Sequence, residues 1–281
     1  DMFGVDIGYF QWVTYCFPFV IVMIPITWFI TNLRFRPKII SLAPAMDQLK
    51  MEIDKMGGWN KKQIWALIIF VVMVFGWFTE KAFFDLGIYP IRVGIGVLAM
   101  AGAIAYILAG IVNWRDYQER VDWGVVWLYA GAIIFGRTLD GTGAAYWLAR
   151  SVIDFLAQFG MEAGLPLMIV SNGMTAIITN LMADGPAAAC VGPITLNMAG
   201  MVHPGSSYLP FMAMATAIAS SFAYCLIIGT PPNAIVYASG YLEPKDYLRV
   251  GIPMFFIANV VLLFLTGVFW SFRGFGTMPG F

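Results

Sequence analysis

One run of the sequence limits the fold more than any other feature. Residues 162–201 are mostly apolar and long enough for two membrane spans, yet Asp184-Gly185-Pro186 stands in the middle. A carboxylate is costly at membrane depth, Gly-Pro is typical of a turn, and irregular backbone there must be buried or line a cavity. We therefore predict a re-entrant hairpin of two half-length helices with its tip at 183–185. The alternative is a full span kinked by Gly-Pro.

The composition is that of an integral membrane protein. Hydrophobic residues make up 60% of the chain and charged residues 11%, against about 25% charged in a typical soluble domain. The zero net charge gives no indication of nucleic acid as a partner. A single histidine, His203, and three scattered cysteines (Cys16, Cys190 and Cys225) argue against haem and metal clusters. No nucleophile–base pair, HExxH motif or phosphate-binding loop indicates an enzyme, so we expect no cofactor beyond a coupling ion.

Further apolar segments predict transmembrane helices over residues 9–31, 64–79, 93–112, 124–136 and 251–271. Residues 141–160 have apolar positions at helical spacing beside Arg150, Asp154 and Gln158, which predicts an amphipathic helix in the interface. The alternative is that this helix only extends the segment before it. The linker 32–63 carries seven Lys and Arg residues, and the positive-inside rule places it in the cytoplasm.

A second interruption lies in the segment 211–240. The motif Thr230-Pro231-Pro232-Asn233 removes two backbone donors, so we expect the helix to unwind there. In secondary transporters such broken helices form the binding site, since half-helix N-termini attract anions and freed carbonyls coordinate cations. These backbone groups, together with the hydroxyl of Thr179 and the carboxylate of Asp184, suit a small anion and a coupling cation.

At this point the sequence resembles a known family, the divalent anion/sodium symporters. "GTPPNAIVYASGYLEPKDYLRVGIP" resembles the family's unwound helix, "ITNLMADGPAAACVGPITL" its hairpin, and "LYAGAIIFGRTLDGTGAAYWLA" the segment leading into its interfacial helix. The resemblance covers almost the whole chain, from the family's sixth span onward. It implies an all-α integral membrane fold in which this chain supplies one complete inverted repeat plus the last span of the other.

This organisation divides the chain into six expected regions. They are the last span of the first repeat plus the cytoplasmic linker (1–63), scaffold spans (64–122), a span and interfacial helix (123–160), the re-entrant hairpin (161–202), the broken helix (203–249), and a last span and tail (250–281). The first residue, Asp1 rather than Met, indicates a cut or partly read polypeptide.

The resemblance also implies site residues. The family's sodium ligands fall on Thr179, Ala183, Asp184 and Gly229, and its substrate-binding residues on Asp184, Gly185, Thr230, Pro231, Pro232 and Asn233. The tip reads Ala-Asp-Gly where the family has Ser-Asn-Thr, so its carboxylate could ligate sodium or carry a proton, and it would repel a close anion. The nearby "SNGMT" (171–175) is expected to pack within the hairpin arm.

We therefore hypothesise the C-terminal half of an elevator-like secondary transporter that moves a small anion, di- or tricarboxylate or sulfate-like, coupled to Na⁺ or H⁺. Its partners would be the lipid bilayer, a second polypeptide or missing N-terminal half, and a second copy in a homodimer of complete transporters. We expect a bacterial or archaeal inner membrane. The alternative is a non-transporting subunit or anchor that keeps the fold.

Three roles remain open for Asp184. It could bind a cation, cap the second helix of the hairpin by accepting bonds from amides near Ala187 and Ala188, or pair with a basic residue that the sequence does not identify.

Overall fold

The computed structural model describes residues 7–35, 43–88, 93–202 and 208–272. All regular structure in these ranges is helical, which confirms the all-α fold. The described residues form twelve α-helices: α1 Tyr9–Arg34, α2 Ala43–Met56, α3 Lys61–Asp85, α4 Ile95–Leu108, α5 Trp114–Arg120, α6 Trp123–Gly141, α7 Ala144–Ala157, α8 Gly164–Leu181, α9 Asp184–Val202, α10 Tyr208–Ala219, α11 Pro231–Ala238 and α12 Pro244–Phe264. Part of the predicted cytoplasmic linker (36–42), the loop with His203 and the tail from residue 273 lie outside the described residues.

Within the described residues, five helices are long and apolar enough to cross a membrane. They are Tyr9–Arg34, Lys61–Asp85, Gly164–Leu181, Asp184–Val202 and Pro244–Trp270. Large apolar side chains cover their outer faces, as Phe70, Val71 and Val72 do on α3, where each is more than half exposed. Such faces suit lipid rather than water, which agrees with an integral membrane protein.

One of the two compact units contains residues 7–13 and, among the described residues, 43–88 and 93–123. In it, Gly102 of α4 lies against the side chain of Met73 in α3, which fills the space that a Cβ would take. The Tyr106 hydroxyl donates to the carbonyl of Ala66 at 2.9 Å. The short polar helix α2 lies in the predicted linker 32–63, and the short polar helix α5 lies in the region expected to hold scaffold spans.

The other unit contains residues 14–35, 124–202 and 208–272 of the described chain. Here α6 and α7 are separate helices, because the backbone turns at Gly143 with φ +76°. One face of α7 buries Ala145 and Ala149, while Arg150 and Asp154 form an exposed ion pair at 2.9 Å. This two-faced helix has the predicted amphipathic character, and the turn argues against a simple extension of α6. Its position at the membrane interface remains a prediction.

The helices α8 and α9 form a hairpin joined by Met182 and Ala183. They contain 18 and 19 residues, which corresponds to lengths of about 27 and 28 Å. The expectation of two half-length helices was therefore wrong: α8 continues through Gly173 at its centre, and α9 continues through Pro193. Whether the pair re-enters or crosses the membrane depends on its tilt, and re-entry remains a prediction.

The core of this unit surrounds the hairpin. The helix α10 packs on both arms, and Thr216 donates to the hydroxyl of Thr195 in α9 at 2.9 Å. The chain continues from α12 into a π-helical turn, Leu265–Trp270. The buried Trp270 ring packs edge-on against Phe211 with centroids 5.0 Å apart, and its Nε1 donates to the carbonyl of Tyr15 at 3.0 Å. These contacts fix α10 beside α1 and α12.

The broken helix unwinds earlier than its sequence indicates. The helix α10 ends at Ala219, residues 220–226 are irregular, and a single 3₁₀ turn spans Ile227–Gly229. The expected break at Thr230–Asn233 was misplaced: Thr230 is the extended N-cap of α11, and Pro231 and Pro232 occupy its first positions. Proline is tolerated in the first turn, where its missing N–H has no helical acceptor.

Candidate functional site

The unwound segment is held against the hairpin by Asn180, near the end of α8. Its Nδ2 donates to the carbonyl of Phe222 at 3.0 Å, and its Oδ1 accepts from the amide of Cys225 at 2.8 Å. The same Nδ2 also donates within α8 to Ala176 at 2.7 Å. Asn180 is only 7% exposed, so these bonds are shielded from solvent. One side chain thus ties the backbone on both sides of Tyr224 to the hairpin.

Thr179 makes a second tie between the two interruptions. Its side chain is fully buried, and its hydroxyl donates to the carbonyl of Ser220, where α10 ends. Gly229 lies directly opposite: a Cβ built there would be 3.2 Å from the Thr179 carbonyl oxygen and 2.8 Å from the Cβ of Ala223. Any other residue at position 229 would force these neighbouring atoms to move. The structure therefore brings together Thr179 and Gly229, two of the expected cation-site residues.

Asn233, the last residue of the TPPN motif, holds the unwound segment from the other end. Its Nδ2 donates to the carbonyls of Ala223 and Leu226 at 2.7 and 3.1 Å. Its own carbonyl accepts from the Tyr247 hydroxyl of α12 at 2.8 Å. The amide is thus used to shape the backbone, and its contribution to substrate binding remains a prediction. Pro231 and Pro232 beside it are exposed.

Asp184 is the first residue of α9 and faces the broken helix. Its Oδ2 lies 3.5 Å from the Thr230 hydroxyl, at the long limit of a hydrogen bond. Its Oδ1 is buried and has no hydrogen-bond partner among the described residues. The first helical bond of α9 runs instead from the amide of Ala187 to the carbonyl of Ala183 at 2.9 Å. Within the described chain, neither the cap nor a basic partner is found for this carboxylate.

The hairpin tip meets the unwound segment at a place that we call the junction. The remaining tip residues lie there. Ala183 is half-buried between the two helices, and Gly185 lies against the ring of Tyr129 from α6. A methyl group added at Gly185 would overlap that ring. The geometry therefore groups Thr179, Asp184, Gly229 and Thr230 around the junction, with Ala183 and Gly185 beside them.

Sequence reasoning missed Asn180 and Tyr129, which both contact this junction. Asn180 follows Thr179, an expected ligand, in the apolar stretch "ITNLMADGP". A polar amide in such a stretch is unusual, so it could have been recognised from the sequence. No signal pointed to Tyr129, since the contact joins helices distant in sequence.

The arrangement has the chemistry of a cation and anion site. A carboxylate oxygen without a partner, a threonine hydroxyl with free lone pairs and unwound carbonyls are hard oxygen donors, which suit Na⁺ or a proton. The helices α9 and α11 both begin here, and helix N-termini favour anions.

Comparison with known proteins decides the family. Residues 1–275 match the model of the sodium:sulfate symporter transmembrane region. The chain belongs to this family. The resemblance to this family is therefore confirmed, and the family is one of membrane transport proteins rather than enzymes.

Relatives with curated names agree with the family. An "Uncharacterized transporter" of Haemophilus influenzae is 26% identical over 277 residues, covering 95% of this chain and 56% of the relative. The "Sodium-dependent dicarboxylate transporter SdcS" of Staphylococcus saprophyticus is 25% identical over 272 residues, covering 93% of this chain and 51% of the relative. The protein of the same name from Staphylococcus aureus (strain USA300) is 26% identical over 272 residues, with the same coverage of 93% and 51%.

The chain spans about half the length of these relatives. Their bacterial origin, with the long apolar helices, supports an integral protein of the inner membrane. The relatives' names describe transport, so the alternative of a non-transporting anchor is not favoured.

Proposed function

We propose that these residues form half of a secondary active transporter that carries a small dianion, such as a dicarboxylate or sulfate, across the membrane together with Na⁺ or H⁺. One observation carries the proposal: two backbone interruptions meet at one junction, where a buried carboxylate oxygen has no partner. The family match and the sodium-dependent dicarboxylate relatives support the substrate class and favour Na⁺.

In this proposal Asp184 binds the coupling cation with Thr179, Ala183 and Gly229. The cation neutralises the carboxylate and removes its repulsion of an anionic substrate. The N-termini of α9 and α11, with Gly185, Thr230, Pro231, Pro232 and Asn233, then attract the anion. Binding of cation before anion would couple the two fluxes.

The opposing wall of the site comes from residues beyond these 281, in the same polypeptide or a second one. The chain's coverage of about half of each relative supports this. The complete transporter forms a homodimer and moves the site by an elevator-like shift, with residues 32–63 in the cytoplasm. The 281 residues alone, in liposomes, are expected to show no saturable uptake, and robust uptake would contradict this architecture.

The test uses the complete transporter in proteoliposomes with radiolabelled succinate or sulfate, with Na⁺ and pH varied separately. Asp184→Asn is expected to shift the Na⁺ or pH dependence of uptake by on the order of tenfold, since it removes a charge-assisted contact. Asp154→Asn is the matched control, because Asp154 lies in an exposed ion pair on α7. If uptake by Asp184→Asn keeps the same Na⁺ and pH dependence, Asp184 has only a structural role.

A further inference from the structure

The middle of α8 holds polar atoms that neither the fold nor the proposed site uses. Ser171 and Asn172 are both 0% exposed. The Oγ of Ser171 and both amide atoms of Asn172 have no hydrogen-bond partner among the described residues. They lie two turns of helix before Thr179, away from the junction. Packing within the hairpin arm explains their burial but leaves three buried polar atoms unexplained.

Other asparagines within the helices show how the same side chain is satisfied elsewhere. Asn32, Asn197 and Asn259 each donate Nδ2 to the carbonyl four residues earlier, at 2.7 to 2.8 Å. Asn172 makes no such bond, although the carbonyl of Met168 stands in the same relation to it. Its amide is therefore turned away from the local acceptor.

The neighbouring serine behaves in the same way. Ser151 donates its hydroxyl to the carbonyl of Trp147 at 2.9 Å, and Thr175 donates to the carbonyl of Ser171 at 2.8 Å. The hydroxyl of Ser171 makes no bond of this kind. Both side chains are fully buried and leave their local acceptors unused, so each needs a ligand other than the backbone of α8.

The atoms define the chemistry of that ligand. Nδ2 requires an acceptor, Oδ1 requires a donor, and Oγ takes either. A bare cation would satisfy only the oxygens, and α8 has no charged residue to balance an ion in its apolar surroundings. Water both donates and accepts, and buried waters typically make about three hydrogen bonds. We propose that Ser171 and Asn172 form an internal water-binding site in the arm of the hairpin.

The site lies on a polar stripe along α8. Thr175 and Thr179 follow Ser171 at intervals of four residues, all are 0% exposed, and residues so spaced share one helix face. Bound water would hydrate the end of the stripe farthest from the junction. The proposal rests on burial and hydrogen bonding and is independent of the transported substrate.

Radiolytic labelling tests it, because X-rays split bound water into hydroxyl radicals that oxidise nearby side chains. Met168 lies one turn from Asn172 and is 0% exposed, so it is the reporter. Met212 and Met254, at 0% and 1% exposed, are equally buried controls. In the full-length protein in detergent, Met168 is expected to oxidise on the order of tenfold faster than either control.

Two variants then show whether the fast oxidation of Met168 depends on Asn172. Asn172→Leu removes the amide and is expected to slow Met168 oxidation to the rate of Met212. Gly173→Ala is the matched control, since a methyl group there meets no atom within 4 Å, and it should leave Met168 unchanged. The proposal is overturned if Met168 in the unaltered protein reacts no faster than Met212 and Met254, or if folded Asn172→Leu keeps the fast rate. If Asn172→Leu fails to fold, the proposal is judged by the oxidation rate of Met168 relative to Met212 and Met254 in the unaltered protein.

Discussion

Replacing Asn180 by leucine should loosen the tie between the hairpin and the broken helix. Leucine has a similar volume but no polar atoms, so the packing of α8 is largely kept. Two bonds to the unwound segment are lost, from Nδ2 to the Phe222 carbonyl and from the Cys225 amide to Oδ1. The variant therefore measures the contribution of these bonds with little change in volume.

The two losses differ in size. The carbonyl of Phe222 still accepts from the amide of Tyr224 at 2.9 Å, so only one net hydrogen bond is lost there, about 1 kcal/mol. The amide of Cys225 loses its acceptor, and a buried donor without a partner costs about 1–3 kcal/mol. The free energy of unfolding should fall by about 2–4 kcal/mol. For a chain of 281 residues that fall corresponds to a melting temperature lower by about 3–7 °C.

Thermal unfolding of the full-length protein in detergent, followed by tryptophan fluorescence, measures the shift. Asn259→Leu is the matched control, because Asn259 bonds only to the carbonyl of Phe255 in its own helix. It should cost less than about 1 kcal/mol. If Asn180→Leu melts together with the control, Asn180 does not hold the unwound segment and the account of the junction is wrong.

Two glycines give further predictions. Gly185→Ala should destabilise by about 1–3 kcal/mol, because the methyl group meets the ring of Tyr129, and trimming Tyr129 to Ala should relieve part of that loss in a double variant. Gly251→Ala should destabilise at least as much, since its Cβ would be 2.7 Å from the backbone Cα of Cys225, and backbone cannot move aside as a side chain can. Gly131→Ala, where nothing lies within 4 Å, is the control for both in thermal unfolding, and equal melting of all three variants would refute the close contacts.

The parts of the fold that sequence could predict depend on local properties. Apolar runs long enough to span a bilayer identified α1, α3 and α12. The motif Asp184-Gly185-Pro186 located the turn between α8 and α9 to within two residues. These signals are local because helix length and turn formation depend on residues close in sequence.

The break after α10 shows what sequence could not provide. Pro231 and Pro232 drew attention to the motif, yet proline is compatible with the first turn of α11 and does not say where the preceding helix ends. Unwinding from Ser220 is stabilised by Asn180, which bonds to Cys225 across 45 residues. Such a partner can be found only when the fold is known, and the same applies to the ring of Tyr129 beside Gly185.

The most direct test of the central claim is the accessibility of residue 183 to a membrane-impermeant thiol reagent. A cysteine placed at Ala183, in the complete transporter without its native cysteines, should react more slowly when Na⁺ or protons and a dicarboxylate are added together. Asp184→Asn should weaken that protection. A cysteine at Ser239, which is exposed near the end of α11, should keep its rate and corrects for changes in thiol reactivity with pH. Equal rates at 183 with and without cation and anion would contradict a coupled binding site at this junction.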